Sequence, residues 1–322
     1  PLYRQEKEWE ALGLRLSRAT LSNWLLVVYR DWLVHIVHRL KQELLKQRYL
    51  HIDETHVQVL KEPGRKNTSD SYMWVYCSIK DSVTPIRYFE YRPGRSGKYP
   101  EAFLRGYEGY IHTDAYSGYN AVSGVKRCLC YTHLRRAFVD ALPKDIHTPE
   151  ASKPAEAIFR LNQLFNIEAE LEALSPDQKK NERLIREKPL LEAFWSWAEK
   201  SAIGELPKSK LSKAFHYALN NREGFFHYLE DGNCSISNSL AENCIRPFVI
   251  GRKNWLFSGS PKGAEASAGI YTLVETAKAN GLAPMKYIKY ILSDMPGSAF
   301  LEHPEYLDDY LPWNPLVKEF CR

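Results

Sequence analysis

The segment Tyr49-Leu-His-Ile-Asp-Glu-Thr-His-Val-Gln-Val-Leu60 decides the fold. Its apolar and polar residues alternate with the two-residue period of a half-buried strand. It places an acid, Asp53, in the middle of that strand. Upstream, residues 5–47 have helical spacing: a first helix ending at Gly13, then Ser17 as cap of a second helix beginning at Arg18. That rhythm resembles a helix-turn-helix unit, and two helices packed without any DNA contact explain it equally well. Nine Lys+Arg against five Asp+Glu in residues 1–50 tilt it toward DNA. Downstream, 71–80 and 85–91 read as a strand hairpin, 99–107 as a helix, 109–114 and 126–131 as strands, and a helix opens near Thr132. Three strands, helix, strand, turn, strand, helix is the order of a ribonuclease H-like mixed sheet, an α/β fold.

The strand signal then stops. Pro143 to Pro154 has linker composition, and 155–173, 182–200 and 208–221 are helical patterns. A helical block of this length is an insertion, not a loop. A further helix starts near Asn238, 251–260 reads as extended, and 264–280 and 284–292 are helical. The expected organisation is an N-terminal helical segment (1–47), a core in two parts (48–142 and 236–292), an all-helical insertion (143–235) and a C-terminal tail (293–322).

Composition bounds the function. The 322 residues are 44% hydrophobic and 26% charged, which excludes wholesale disorder. Forty-four Lys+Arg against 39 Asp+Glu give a net +5, which permits a polyanionic partner without demanding one. Six scattered cysteines are not a disulfide framework and fit reduced thiols of a cytoplasmic protein. No signal peptide or membrane span is legible. The first residues lack a Met and run straight into a helical pattern, as a chain begun inside a longer one would.

Asp114 ends the strand Gly109-Tyr-Ile-His-Thr-Asp. In a ribonuclease H-like sheet the strands of Asp53 and Asp114 are neighbours, and two carboxylates about 4 Å apart repel by roughly 4 kcal/mol at an effective dielectric near 20. A hard divalent cation, Mg²⁺ or else Mn²⁺, resolves that repulsion. Glu242, in the helix beyond the insertion, is the third candidate. Three carboxylates around two metals suit in-line displacement at a phosphodiester. Taken singly, each acid reads better as a turn, cap or solvated residue than as a ligand. Glu54 is the weaker candidate, because alternation turns it to the other face.

Six motifs follow one another in order: His51-Ile-Asp-Glu-Thr, His112-Thr-Asp-Ala-Tyr-Ser-Gly-Tyr, Cys130-Tyr-Thr-His-Leu-Arg-Arg, Asn238-Ser-Leu-Ala-Glu-Asn, Gly251-Arg-Lys-Asn-Trp and Glu275-Thr-Ala-Lys-Ala-Asn-Gly. Together they resemble the insertion-sequence-66 family of bacterial DDE transposases over nearly the whole chain. The resemblance implies that Asp53, Asp114 and Glu242 are a metal-binding catalytic triad. It implies cleavage at element ends and strand transfer into target DNA, in the cytoplasm at the nucleoid. Double-stranded DNA and a homo-oligomeric synaptic complex are the implied partners. The family's N-terminal coiled coil and cysteine-rich zinc module lie outside this sequence. Where the family has Asp-Asn-Asn-x-x-Glu-Arg, this chain reads Ser237-Asn-Ser-Leu-Ala-Glu-Asn, so a neighbouring acid, amide and Arg are lost. A ribonuclease H-like nuclease without strand transfer, and an inactive DNA-binding relict, remain alternatives.

Cys130-x-x-His133 offers two ligands where zinc wants three or four; Cys128 is a conceivable third, and no fourth is in sight. Buried thiols with a His at a helix start are the better reading, and the resemblance sets His133 near DNA. Arg135, Arg136, Arg246, Arg252 and Lys253 form the basic signal, with Trp255 among them. Residues 243–264 hold four Lys+Arg and no acid, as a phosphate-tracking groove would. A solvated edge with Trp255 in the core explains the same residues. Arg87, Arg92, Arg95 and Lys98 make a second basic loop.

Overall fold

A computed structural model of the chain describes residues 1–143 and 152–322. The chain opens with α1 (Leu2–Ala11), α2 (Arg18–Val28) and α3 (Val34–Leu45). Strands β1 (Tyr49–Val59), β2 (Asp70–Ser78) and β3 (Arg87–Arg92) follow, then the short α4 (Lys98–Phe103). Next come β4 (Gly109–Thr113), β5 (Val125–Leu129) and α5 (Tyr131–Val139). The helices α6 (Lys153–Glu170), α7 (Pro176–Glu182), α8 (Lys188–Ala202), α9 (Lys210–Asn220) and α10 (Arg222–Phe226) fill the stretch up to Arg222–Phe226. Then α11 (Ser239–Trp255), the two-residue β6 (Phe257–Ser258), α12 (Pro261–Ala279), α13 (Pro284–Asp294) and α14 (Pro315–Cys321) complete the chain. The linker expected over 143–154 falls largely outside the described residues. Among the described residues from 140 to 238 there is no strand.

Two compact units result: Pro1–Leu104 with Leu240–Arg322, and Arg105–Ser239. In the first unit, β1, β2 and β3 form an antiparallel meander, and β6 adds in parallel to the end of β1, which makes the sheet mixed. One face of this sheet carries Val57, Val59, Met73, Val75, Cys77, Phe89 and Tyr91. Ala241, Ile245 and Phe248 of α11 and Ala264 and Ala268 of α12 close over it. The i, i+4, i+7 spacing on α11 is what builds that apolar stripe. On the outer strand, the Thr272 and Thr276 hydroxyls accept from the backbone N–H of Phe89 (2.8 Å) and Arg87 (3.0 Å). A helix thereby satisfies donors that an open sheet edge would expose. Ser17 caps α2 as its position implies, accepting from Thr20 N at 3.1 Å, while α1 buries none of its residues.

The expectation of an extended 251–260 is corrected: α11 continues as helix to Trp255. Glycine costs a helix about 1 kcal/mol relative to alanine, but packing outweighs it here. The apolar stripe extends from Phe248 to Trp255, whose rings meet edge-on at 5.2 Å. A Cβ at Gly251 would stand 2.4 Å from the Tyr271 hydroxyl and 3.1 Å from the Trp255 ring nitrogen, so glycine leaves room for the Tyr271 ring of α12. Leu256, at φ 64°, then ends the helix.

In the second unit, β4 and β5 run parallel, pairing His112 with Cys128. Phe138 of α5 packs edge-on against Phe194 of α8 and Phe215 of α9. The same unit holds a buried charge. The Arg183 guanidinium binds Glu168 at 2.5 and 2.9 Å and donates to the carbonyls of Tyr228, Asp231 and Cys234. Five acceptors around one cation offset its desolvation and hold the 228–234 loop to the helices.

Candidate active site

Pairing register decides which β1 residues share a face. Asp53 opposes Val75, and Thr55 opposes Met73, so both lie on the face that α11 covers. Asp53 is half-buried there, and its Oδ1 accepts from Glu54 N at 2.9 Å. Its charge reaches the Cys77 thiol, which burial first, then a hydrogen bond with Cys244, push well above the usual range. Cys244 lies on α11 two residues beyond Glu242, so one buried thiol senses both Asp53 and the Glu242 helix. Near the far end of α11, Arg252 donates to the His56 carbonyl and to Thr55 Oγ1. The helix is therefore clamped to β1 beside Asp53. Glu54, on the opposite face, is spent on an ion pair with Arg95 at 2.6 Å.

Glu242 is half-buried, and at 100° per residue Arg246 and Lys253 fall on the same stripe of α11. Both are exposed, and no ion pair of theirs occurs among the described residues. A carboxylate thus heads a line of two solvent-facing cations. Trp255 lies on the other side of the helix, half-buried against Phe248 and Tyr271. The second basic loop is mostly used internally: Arg87 donates to Ser78 O, Arg92 pairs with Glu90, and Arg95 pairs with Glu54.

Asp114, His133, Arg135 and Arg136 belong to the second unit. Asp114 follows β4 directly, and its Oδ1 accepts from Tyr116 N at 3.0 Å, an Asx turn that fixes the carboxylate. Arg127 locks this turn, donating to the carbonyls of Asp114 (2.6 Å) and Tyr116 (2.8 Å) and to Thr113 Oγ1 (2.7 Å). Burial, and next the Asp114 charge, raise the Tyr217 hydroxyl. Tyr217 sits on α9, so the helical insertion reaches Asp114. Arg135 is engaged by Asn162 of α6 at 2.7 Å, whereas Arg136 is exposed. Burial raises the Cys130 thiol, and hydrogen bonds from His133 and from Asn238 N outweigh that and lower it. Ahead of Glu242, Ser237 Oγ bonds Ser239 Oγ at 3.1 Å and Asn238 N donates to Cys130 Sγ. Arg127 and Tyr217 escaped sequence reading because neither belongs to a motif; an Arg two residues before Leu129 and a Tyr in an amphipathic helix carry no local signal.

All three acids offer only carboxylate oxygens, the donor type hard divalent cations take. Among the described residues no helix is long and apolar enough to cross a membrane.

Several curated proteins of Sinorhizobium fredii are similar to the chain. The uncharacterized protein y4hP is 27% identical over 334 residues, covering 97% of the chain and 59% of y4hP. Uncharacterized protein y4jD is 28% identical over 328 residues, covering 98% of the chain and 62% of y4jD. The chain therefore spans about three-fifths of the length of the relatives it matches. No solved structure matches it. The family described as Transposase IS66 family matches residues 1–266, with β1, β4 and the Glu242 helix inside the match, and the chain belongs to that family.

Proposed function

We propose that the chain carries the catalytic centre of a DNA transposase with a ribonuclease H-like core. Asp53, Asp114 and Glu242 would hold Mg²⁺ or Mn²⁺. When bound, these ions activate a water or 3′-hydroxyl and stabilise the leaving oxygen of a phosphodiester. The protein's own part is positional. The Asx turn and Arg127 fix Asp114, and Arg252 seats α11 beside Asp53. Arg246 and Lys253 neutralise the phosphates that approach Glu242. Bringing two element ends together calls for two chains or more in a synaptic complex.

The observation that carries this reading is the placement of Asp53 on the sheet face covered by the Glu242 helix, in a chain of the IS66 family. A labelled element end with Mg²⁺ and target DNA tests it. Nicked and joined products support transposition, nicks alone indicate a nuclease, and binding without cleavage indicates a relict.

A further inference from the structure

We propose that His112, Cys128 and Cys234 form a second cation site, suited to a thiophilic divalent ion of the zinc class and separate in chemistry from the three carboxylates. The three side chains come from β4, β5 and the loop before α11, and each is buried to 1% exposure. Their donor atoms all lie within 4.8 Å of one another. Bonds of about 2.3 Å to sulfur and 2.0–2.1 Å to imidazole set tetrahedral donors roughly 3.5–3.8 Å apart, so small side-chain shifts close the cage. Two thiols and an imidazole are a soft set that selects zinc over magnesium.

The cluster is held in place before any ion arrives. The β4–β5 register makes His112 and Cys128 direct cross-strand partners. Arg183 grips the Cys234 carbonyl at 2.8 Å, and Cys234 N donates to Asp231 O at 3.0 Å. Ser235 N donates to His112 Nε2 at 2.9 Å, which fixes the imidazole in the cluster. Loading releases the thiol protons to solvent and leaves the fourth position to water. The other thiol pair, Cys77 with Cys244, has no third such donor among the described residues. A cation here would clip the 231–238 loop onto the β4–β5 pair, two residues before Asp114 and eight before Glu242 in sequence.

Co²⁺ titration of the metal-stripped, reduced full chain tests the site. The expected result is one equivalent bound, with tetrahedral visible bands and the near-ultraviolet charge transfer of two thiolates. Zn²⁺ should displace it, and millimolar Mg²⁺ should not, which separates this site from the proposed catalytic one. Cys128→Ser and Cys234→Ser should each weaken binding about 100-fold or more, while Cys77→Ser and Cys130→Ser leave it unchanged. Absent charge transfer, or bands that survive both ligand variants or vanish only with Cys130→Ser, would overturn the proposal. Should the ligand variants fail to fold, the charge-transfer intensity of the wild-type chain still decides between two thiolates and none.

Discussion

Lys253 and Tyr217 show how much a single side chain can be asked to do here. Lys253 stands exposed on the Glu242 stripe. Lys253→Ala should lower DNA affinity and reduce the slope of log K against log salt by about one phosphate contact. An unchanged slope would make it a solvated residue only. Tyr217 places a buried hydroxyl beside Ala115 and in the field of Asp114. Tyr217→Phe should raise the Mg²⁺ concentration for half-maximal cleavage by about tenfold with the melting temperature little changed. A melting-temperature loss with normal Mg²⁺ dependence would reduce Tyr217 to a packing residue. Sequence could offer Lys253, because an acid-free run of cations is visible in composition. It could not offer Tyr217, which meets Asp114 only through the fold, some hundred residues away along the chain.

At the scale of elements, alternation in β1 was enough to separate Asp53 from Glu54, and the structure places Glu54 in an ion pair on the other face. The end of α11 was harder. Gly251 and the basic residues after it look like a break, and only the contacts of Trp255 with Phe248 and Tyr271 reveal why the helix persists. Gly251→Ala should therefore destabilise rather than stabilise, although alanine is the better helix former. A Cβ facing the Tyr271 hydroxyl pushes that ring from its place beside Phe248, with an expected loss of about 1 kcal/mol in urea unfolding. A gain in stability would mean that helix propensity, not the Tyr271 contact, governs the position.

For the molecule as a whole, the net charge of +5 averages unlike parts: the carboxylates proposed to hold cations, basic acid-free stretches, and a buried network that composition cannot show. In that network burial, then the neighbouring Glu168, raises the Glu187 carboxyl above its usual range, while Tyr228 donates to it at 2.6 Å. The folded chain keeps this proton where the unfolded chain has lost it. Stability from this group is thus fully present at acid pH and falls as pH rises from the usual carboxylate range through the raised value. Glu187→Gln should flatten that decline and be the more stable chain near pH 8, by on the order of 1 kcal/mol. Parallel pH–stability curves for both proteins would contradict it.

The central claim is that Asp53, Asp114 and Glu242 act as one metal-dependent centre. Cleavage and joining of a labelled element end, measured for the wild-type chain and for Asp53→Asn, Asp114→Asn and Glu242→Gln, addresses it most directly. The account predicts Mg²⁺-dependent nicked and joined products from the wild type, and a loss of about 100- to 1,000-fold in each variant, on the order of 3–4 kcal/mol, with DNA binding retained. Metal-dependent cleavage that survives any one of the three substitutions would contradict it.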